Sequence, residues 1–224
     1  MNSGTTLAPK PGDAHWGTQT KYRARRLAGF VAIVDEVLRE KDQVHVLDVG
    51  GTVSYWLDLE PVWGGRPLVF TLVNLKAEPV TDPRFTSLAG DCRDLSRFAD
   101  RSFDIAHSNS VIEHVGRWGD MQRMANEVRR LAPRYFVQTP DYWFPLEPHF
   151  RVPFFHWLPE PWRIALVRSR NCGAFPRATS FDQAANYIED SSLLDATRFT
   201  SLFPEARMER ERVFGLSKSL IAVR

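Results

Sequence analysis

The feature that most constrains this chain is the run Val44-His45-Val46-Leu47-Asp48-Val49, followed at once by Gly50 and Gly51. β-Branched residues in near-continuous apolar order fit a strand buried on both faces, and paired glycines directly after it mark a tight turn. Such a strand needs a covering layer on each side. One is supplied upstream, where Leu27, Phe30, Val31, Val34, Val37 and Leu38 recur at helical spacing. Leu68 to Asn74 reads as a second buried strand, Phe85 to Leu88 as a short third, Phe103 to Ser108 as a fourth and Arg134 to Gln138 as a fifth. A helix with Met121, Met124, Val128 and Leu131 on one face precedes the fifth. This alternation predicts an α/β fold with a mostly parallel sheet and helices on both faces. The end differs, because Arg207 to Phe214 and Ser217 to Val223 are joined almost directly through Gly215, and only an antiparallel pair can be joined so tightly.

At 224 residues with 43% hydrophobic content the chain is long enough for one well-buried domain, expected over 16–224 after a loose arm at 1–15 that carries Pro9, Pro11 and Gly12. Residues 141–178 interrupt the alternation: prolines from Pro145 to Pro161 interleave with Trp143, Phe144, Phe150, Phe154, Phe155, Trp157 and Trp162. This stretch reads as an inserted cap over the sheet rather than a strand-helix unit. Twenty-nine Lys and Arg against 27 Asp and Glu leave a charge of +2, which argues against a nucleic-acid grip. Lys21, Arg23, Arg25 and Arg26 read as the solvated face of a helix. No apolar run is long enough for a membrane span and no secretory signal is readable, so a cytoplasmic location is expected. Two cysteines, Cys92 and Cys172, are too few for a disulfide framework or a zinc cluster.

In open parallel sheets ligands bind beyond the carboxyl ends of the strands. The turn Asp48-Val49-Gly50-Gly51-Thr52-Val53-Ser54 is therefore the first place to look. Its glycines let a ligand approach the backbone, and Asp48 offers an acceptor for a cationic amine. The turn lacks the G-x-G-x-x-G spacing that seats a dinucleotide, which disfavours an NAD-dependent oxidoreductase.

With this turn and four later stretches the sequence resembles the class I S-adenosylmethionine-dependent methyltransferases, in particular the small-molecule branch related to ubiquinone-biosynthesis enzymes. Val46 to Gly51 looks like the family's first motif, although its later glycines are Thr52 and Ser54 here. Asn74 stands where the family has an acid for the ribose hydroxyls, and Gly90-Asp91-Cys92 resembles the turn that meets adenine. Phe103 to Ile105 with Val111 to Val115, and finally Phe203 to Ala206 with Gly215 to Ala222, complete the match. The resemblance implies a Rossmann-like seven-stranded sheet whose last strand is inserted antiparallel between the fifth and sixth. It implies S-adenosyl-L-methionine as cofactor, held by Asp48, Gly50, Gly51, Asn74, Asp91, Cys92 and Ser108.

The acceptor is expected to be a small molecule, with O-methylation favoured over N or C. A proton acceptor must lie past the fourth and fifth strands, which leaves His114, Asp141, Glu147, His149 and His156. His149 is preferred as base, with Glu147 orienting it and His114 close to the cofactor. Its alternative is that Glu147 and His149 only pin the loop. His45 and His107 lie within strands and read as core. A metal at Glu147, His149 and His156 is not favoured, so no metal is expected. The aromatics of 141–178 would floor the acceptor pocket or cover a contact in a homodimer. A non-catalytic subunit of the same fold stays open as a second function class.

Overall fold

The structure, a computed structural model, describes residues 18–224, so the expected arm at 1–15 lies outside the described residues. α1 (Thr18–Val37) leads into β1 (Val44–Val49), α2 (Val53–Asp58), α3 (Glu60–Trp63), β2 (Leu68–Asn74) and β3 (Phe85–Ala89). β4 (Ile105–Asn109), a 3-10 turn at Ile112–His114, α4 (Trp118–Leu131) and β5 (Arg134–Pro140) follow. The seven strands form one sheet in the order β3-β2-β1-β4-β5-β7-β6, where β6 is Arg207–Val213 and β7 is Leu216–Val223. β1 to β5 are parallel, and β7 runs antiparallel between β5 and β6, as expected.

Side chains alternate across the sheet, and each face has its own core. Val46, Phe70, Ile105 and Phe136 meet Phe30 and Val34 of α1, Trp56 of α2 and Trp63 of α3. Leu47, Ala106, Tyr135 and Val137 meet Met121, Met124 and Val128 of α4 and Phe199 of α7 (Ala196–Leu202). Fully burying one such apolar side chain contributes about 1.5–3 kcal/mol. The strand start at His45 departs from expectation: this residue is exposed, because the layer covering Leu47 stops short of it. No helix among the described residues is long and apolar enough to cross a membrane.

The segment after β5 contains a 3-10 turn at Phe155–Trp157 and α5 (Glu160–Ser169), and it packs on α6 (Phe181–Glu189). Phe150, Phe155, Ile164, Val167, Ala184 and Ile188 form a third core, so the inserted unit continues past residue 178 into α6. The proline spacing that reads as non-helical has a different meaning here. Pro159 and Pro161 sit at the start of α5, where a missing N–H costs no helical hydrogen bond.

Candidate active site

The turn after β1 is fixed by its own side chains. Asp48 is buried, with Oδ1 2.8 Å from His107 Nδ1 and Oδ2 accepting from Trp56 Nε1 at 2.6 Å. His107 is a core residue as expected, stacked on Phe136. Both Asp48 oxygens are thus engaged inside the protein, and the carboxylate acts first as the anchor of the turn rather than as a free acceptor for an amine. Gly50 has φ +80°, and a Cβ there would lie 2.3 Å from Val111 Cγ2; one on Gly51 would lie 1.6 Å from Asp48 Oδ2. Neither position accepts a side chain. Thr52 and Ser54, the departures from the expected glycines, have local reasons: Thr52 caps α2, its Oγ1 accepting from Tyr55 N at 3.2 Å and lying 3.1 Å from Ser54 Oγ.

Three cavities open along the carboxyl ends of the parallel strands. One of about 170 Å³ lies against Asp48, Gly50, Gly51, Thr52 and Asn109. The next, about 400 Å³, is bordered by Gly50, Asn74, Asp91, Cys92, Val111 and His114. The third, about 510 Å³, lies between α1, β5 and the insertion and shares Asn109 with the first and Ser110 with the second. Of the residues expected to hold the cofactor, Asp48, Gly50 and Gly51 thus border the first cavity, and Gly50, Asn74, Asp91 and Cys92 the second.

Ser108 is not among them. It is fully buried and donates to the Val49 carbonyl at 3.0 Å, tying β4 to β1, because its place in the strand points it into the sheet layer. Asn109 and Ser110 take the exposed end instead. The Asn109 Oδ1 atom is buried with no partner among the described residues, which leaves an unsatisfied acceptor in a residue that borders two of the cavities. Asn74 donates through Nδ2 to the Gly51 carbonyl, a bond that an ionised carboxylate could not make. Asp91 takes a two-pronged contact from Arg93, whose guanidinium holds the carboxyl below its usual range. Burial pushes the Cys92 thiol up to about 11, and the Asp91 charge adds to it.

Glu147 and His149 meet within the insertion, although neither borders the three cavities. Oε1 of Glu147 lies 2.7 Å from His149 Nδ1, while Oε2 accepts from the backbone N–H groups of His149 at 2.7 Å and Phe150 at 2.5 Å. The same carboxylate therefore both orients the ring and pins the loop. His149 Nε2 stands 3.0 Å from His114 Nε2, and His114 Nδ1 donates to the Asp190 carbonyl at 2.8 Å. Burial acts to lower the His149 pKa, but Glu147, Glu113 and Asp190 outweigh it and the result is upward. His156 instead bonds the Tyr142 carbonyl at 2.7 Å, and burial lowers its pKa. The trio Glu147, His149 and His156 is not assembled as a ligand set. Glu113, His114 and His149 are.

The sequence reading missed several residues. Arg23 and Arg26 border the largest cavity rather than lying on a purely solvated face, since Arg26 reaches Glu211 of β6 at 3.2 Å and Arg23 lies over the Tyr55 ring at 6.0 Å. The signal available was their spacing of three, which puts both on one side of α1. Glu78, whose Oε1 accepts from Val53 N at 2.7 Å, follows β2 in a stretch without periodicity. The aromatic floor is also revised. Of the insertion's rings only Phe144 borders the 510 Å³ cavity, with Phe150 and Phe155 in the third core and Trp143 and Trp162 exposed.

Residues 69–134 match the family model described as a methyltransferase domain. Two uncharacterised proteins of Mycobacterium tuberculosis, from strains CDC 1551 and H37Rv, are 34% identical over 64 residues, which is 29% of this chain. The chain spans about 22% of the length of those relatives. The 1,6-didemethyltoxoflavin-N1-methyltransferase of Burkholderia thailandensis, solved with 1,6-didemethyltoxoflavin and S-adenosylhomocysteine bound, superposes with a TM-score of 0.52 at 15% identity. That likeness covers 92% of this chain and 79% of the other. The family-model match covers less than a third of the chain, and the superposition shows a fold shared with that enzyme, a seven-stranded sheet here with one antiparallel strand inserted between β5 and β6.

Proposed function

We propose that this domain is an active methyltransferase that uses S-adenosyl-L-methionine and methylates a hydroxyl on a small, anionic acceptor. The observation that carries the reading is the contiguity of the cavities: a glycine turn, a buried unpartnered Asn109 oxygen and a slot between Asn74, Asp91 and Val111 run into a larger chamber through Ser110. The turn and Asn109 fit the amino-acid end of the cofactor, and the slot fits the nucleoside. When bound, S-adenosylmethionine supplies an electrophilic methyl group on a sulfonium.

The chain's residues would do the rest by placement and exclusion of water. Arg23 and Arg151 border the acceptor chamber, where Arg26 is already paired with Glu211, and the carboxylate lining it is Asp141, whose Oδ1 accepts from Trp143 N at 3.0 Å. That surplus of positive charge favours a carboxylate or phosphate on the acceptor. His149, oriented by Glu147 and paired with His114, would receive the hydroxyl proton.

Calorimetric titration with S-adenosylhomocysteine tests the cofactor half, with one-to-one binding expected and no heat from NADH. NADH binding in its place would overturn the reading. Incubation of phenolic acids with labelled S-adenosylmethionine tests the acceptor half. Tight binding without turnover on any of a broad panel would favour the non-catalytic subunit.

A further inference from the structure

Three donor atoms converge where the turn after β4 meets the insertion. Glu113 is buried, and its Oε2 accepts from Thr139 Oγ1 at 3.0 Å. Its Oε1 is buried with no partner among the described residues. A buried carboxylate oxygen is seldom left unpaired without a reason.

Beside it the two imidazoles face each other through Nε2 at 3.0 Å, and their other nitrogens fix which atoms carry hydrogen. His114 Nδ1 lies 2.8 Å from the Asp190 carbonyl oxygen, which only accepts, so Nδ1 is the donor. His149 Nδ1 donates to Glu147 Oε1 at 2.7 Å. Each neutral ring therefore turns a lone pair toward the other, an arrangement that needs positive charge between them. A shared proton would satisfy both nitrogens and leave Glu113 Oε1 as it was. A cation would satisfy all three atoms.

We propose that Glu113, His114 and His149 bind a first-row divalent transition cation. One ligand atom from each lies within 4.8 Å of the others. Two ligands held about 2.1 Å from a metal at roughly 90–110° stand roughly 3.0–3.4 Å apart, and the two Nε2 atoms are at 3.0 Å. Two imidazoles and a carboxylate suit zinc, manganese, iron or cobalt better than calcium or magnesium, which prefer all-oxygen shells. The Glu147 carboxylate and the Asp190 carbonyl are the outer groups that fix each ring's orientation. His114 also borders the 400 Å³ cavity, which meets the acceptor chamber at Ser110, so a cation held here would lie at the edge of that cavity. In that setting the cation would acidify an acceptor hydroxyl and take over the task given above to the imidazole pair. Only this last point rests on the methyl-transfer reading; cation binding stands apart from it.

The test uses the full chain stripped of metal and titrated with Co²⁺ and Zn²⁺ in the absence of cofactor. One equivalent of Co²⁺ is expected to bind, with visible absorption bands and paramagnetic shifts of the His114 and His149 ring signals but not of His45. Glu113→Gln and His149→Ala should each weaken uptake at least about 10–100-fold, the loss found even for outer-shell substitutions, with His45→Ala unchanged. Ring signals of wild type that stay unshifted at saturating Co²⁺, or uptake equal in all three variants, would overturn the site and leave a shared proton as the account of the pair. The wild-type ring signals decide the matter even if a variant fails to fold. Failure here would leave S-adenosylhomocysteine binding untouched, so the two proposals fall separately.

Discussion

Asn74 shows how one atom type can decide a site. Its Nδ2 donates to the Gly51 carbonyl, and an ionised aspartate would set a negative oxygen against that carbonyl. Asn74→Asp should therefore destabilise the fold by about 0.5–1.5 kcal/mol, the cost of losing a half-buried hydrogen bond, as read from urea denaturation. Unchanged stability would show that the bond contributes nothing. Cys92 offers a second residue-level check. With its thiol pushed up to about 11 by burial, its thiolate fraction at pH 8 should be roughly 100-fold below that of an ordinary thiol. Alkylation followed by mass spectrometry should be correspondingly slow, should keep accelerating above pH 9, and should slow further with S-adenosylhomocysteine bound. At His149, substitution by alanine should lower turnover by about 10²–10⁴-fold, the range for losing help in removing the acceptor proton, whether the ring takes that proton or holds the cation that acidifies the hydroxyl, with cofactor affinity kept. A lower melting temperature with turnover per folded molecule unchanged would assign it a purely structural role.

The strand-to-helix turn is the element on which the candidate site depends. Gly50 combines φ +80° with a side-chain position already filled by Val111. Gly50→Ala should cost about 1–3 kcal/mol for the backbone strain alone, with the steric clash added to it. Pairing it with Val111→Ala should recover the steric part and not the strain, so a double variant of full wild-type stability would refute the backbone argument. Thr52 works in the same element through its cap, and replacing the expected glycine there by a hydroxyl residue gives α2 a start that glycine supports less well.

At the scale of the whole molecule, α1 and the closing hairpin are stitched together by Arg26 and Glu211, 185 positions apart and each about one-tenth exposed. Ser219 Oγ also donates to the same Glu211 oxygen at 3.1 Å. Removing the guanidinium leaves a shielded carboxylate with too few donors, so Arg26→Met should destabilise by about 1.5–3 kcal/mol. The double change Arg26→Met with Glu211→Met should recover most of that loss, because a well-packed apolar pair can replace an ion pair of this kind. A double variant no more stable than the single one would show that the ion pair is not what docks the helix.

What the sequence determined by itself was local and periodic. The β-branched run into Gly50 and Gly51, the helical spacing of Leu27 to Leu38 and the direct join at Gly215 each specify an element and its direction, and from these the sheet and the position of the glycine turn follow. Glu147 with His149 was legible for the same reason, since two residues of separation place them in one loop. The tertiary structure decided everything that depends on packing between distant segments. Ser108 differs from Asn109 only by which side of β4 it occupies, and the burial of one and exposure of the other to the cavity come from the layers that cover the strand. Arg23 and Arg26 read as ordinary helix-surface charges until the hairpin and the insertion close around them. His114 and His149 come within 3.0 Å only because the insertion folds back over the turn after β4, and no spacing along the chain encodes that contact.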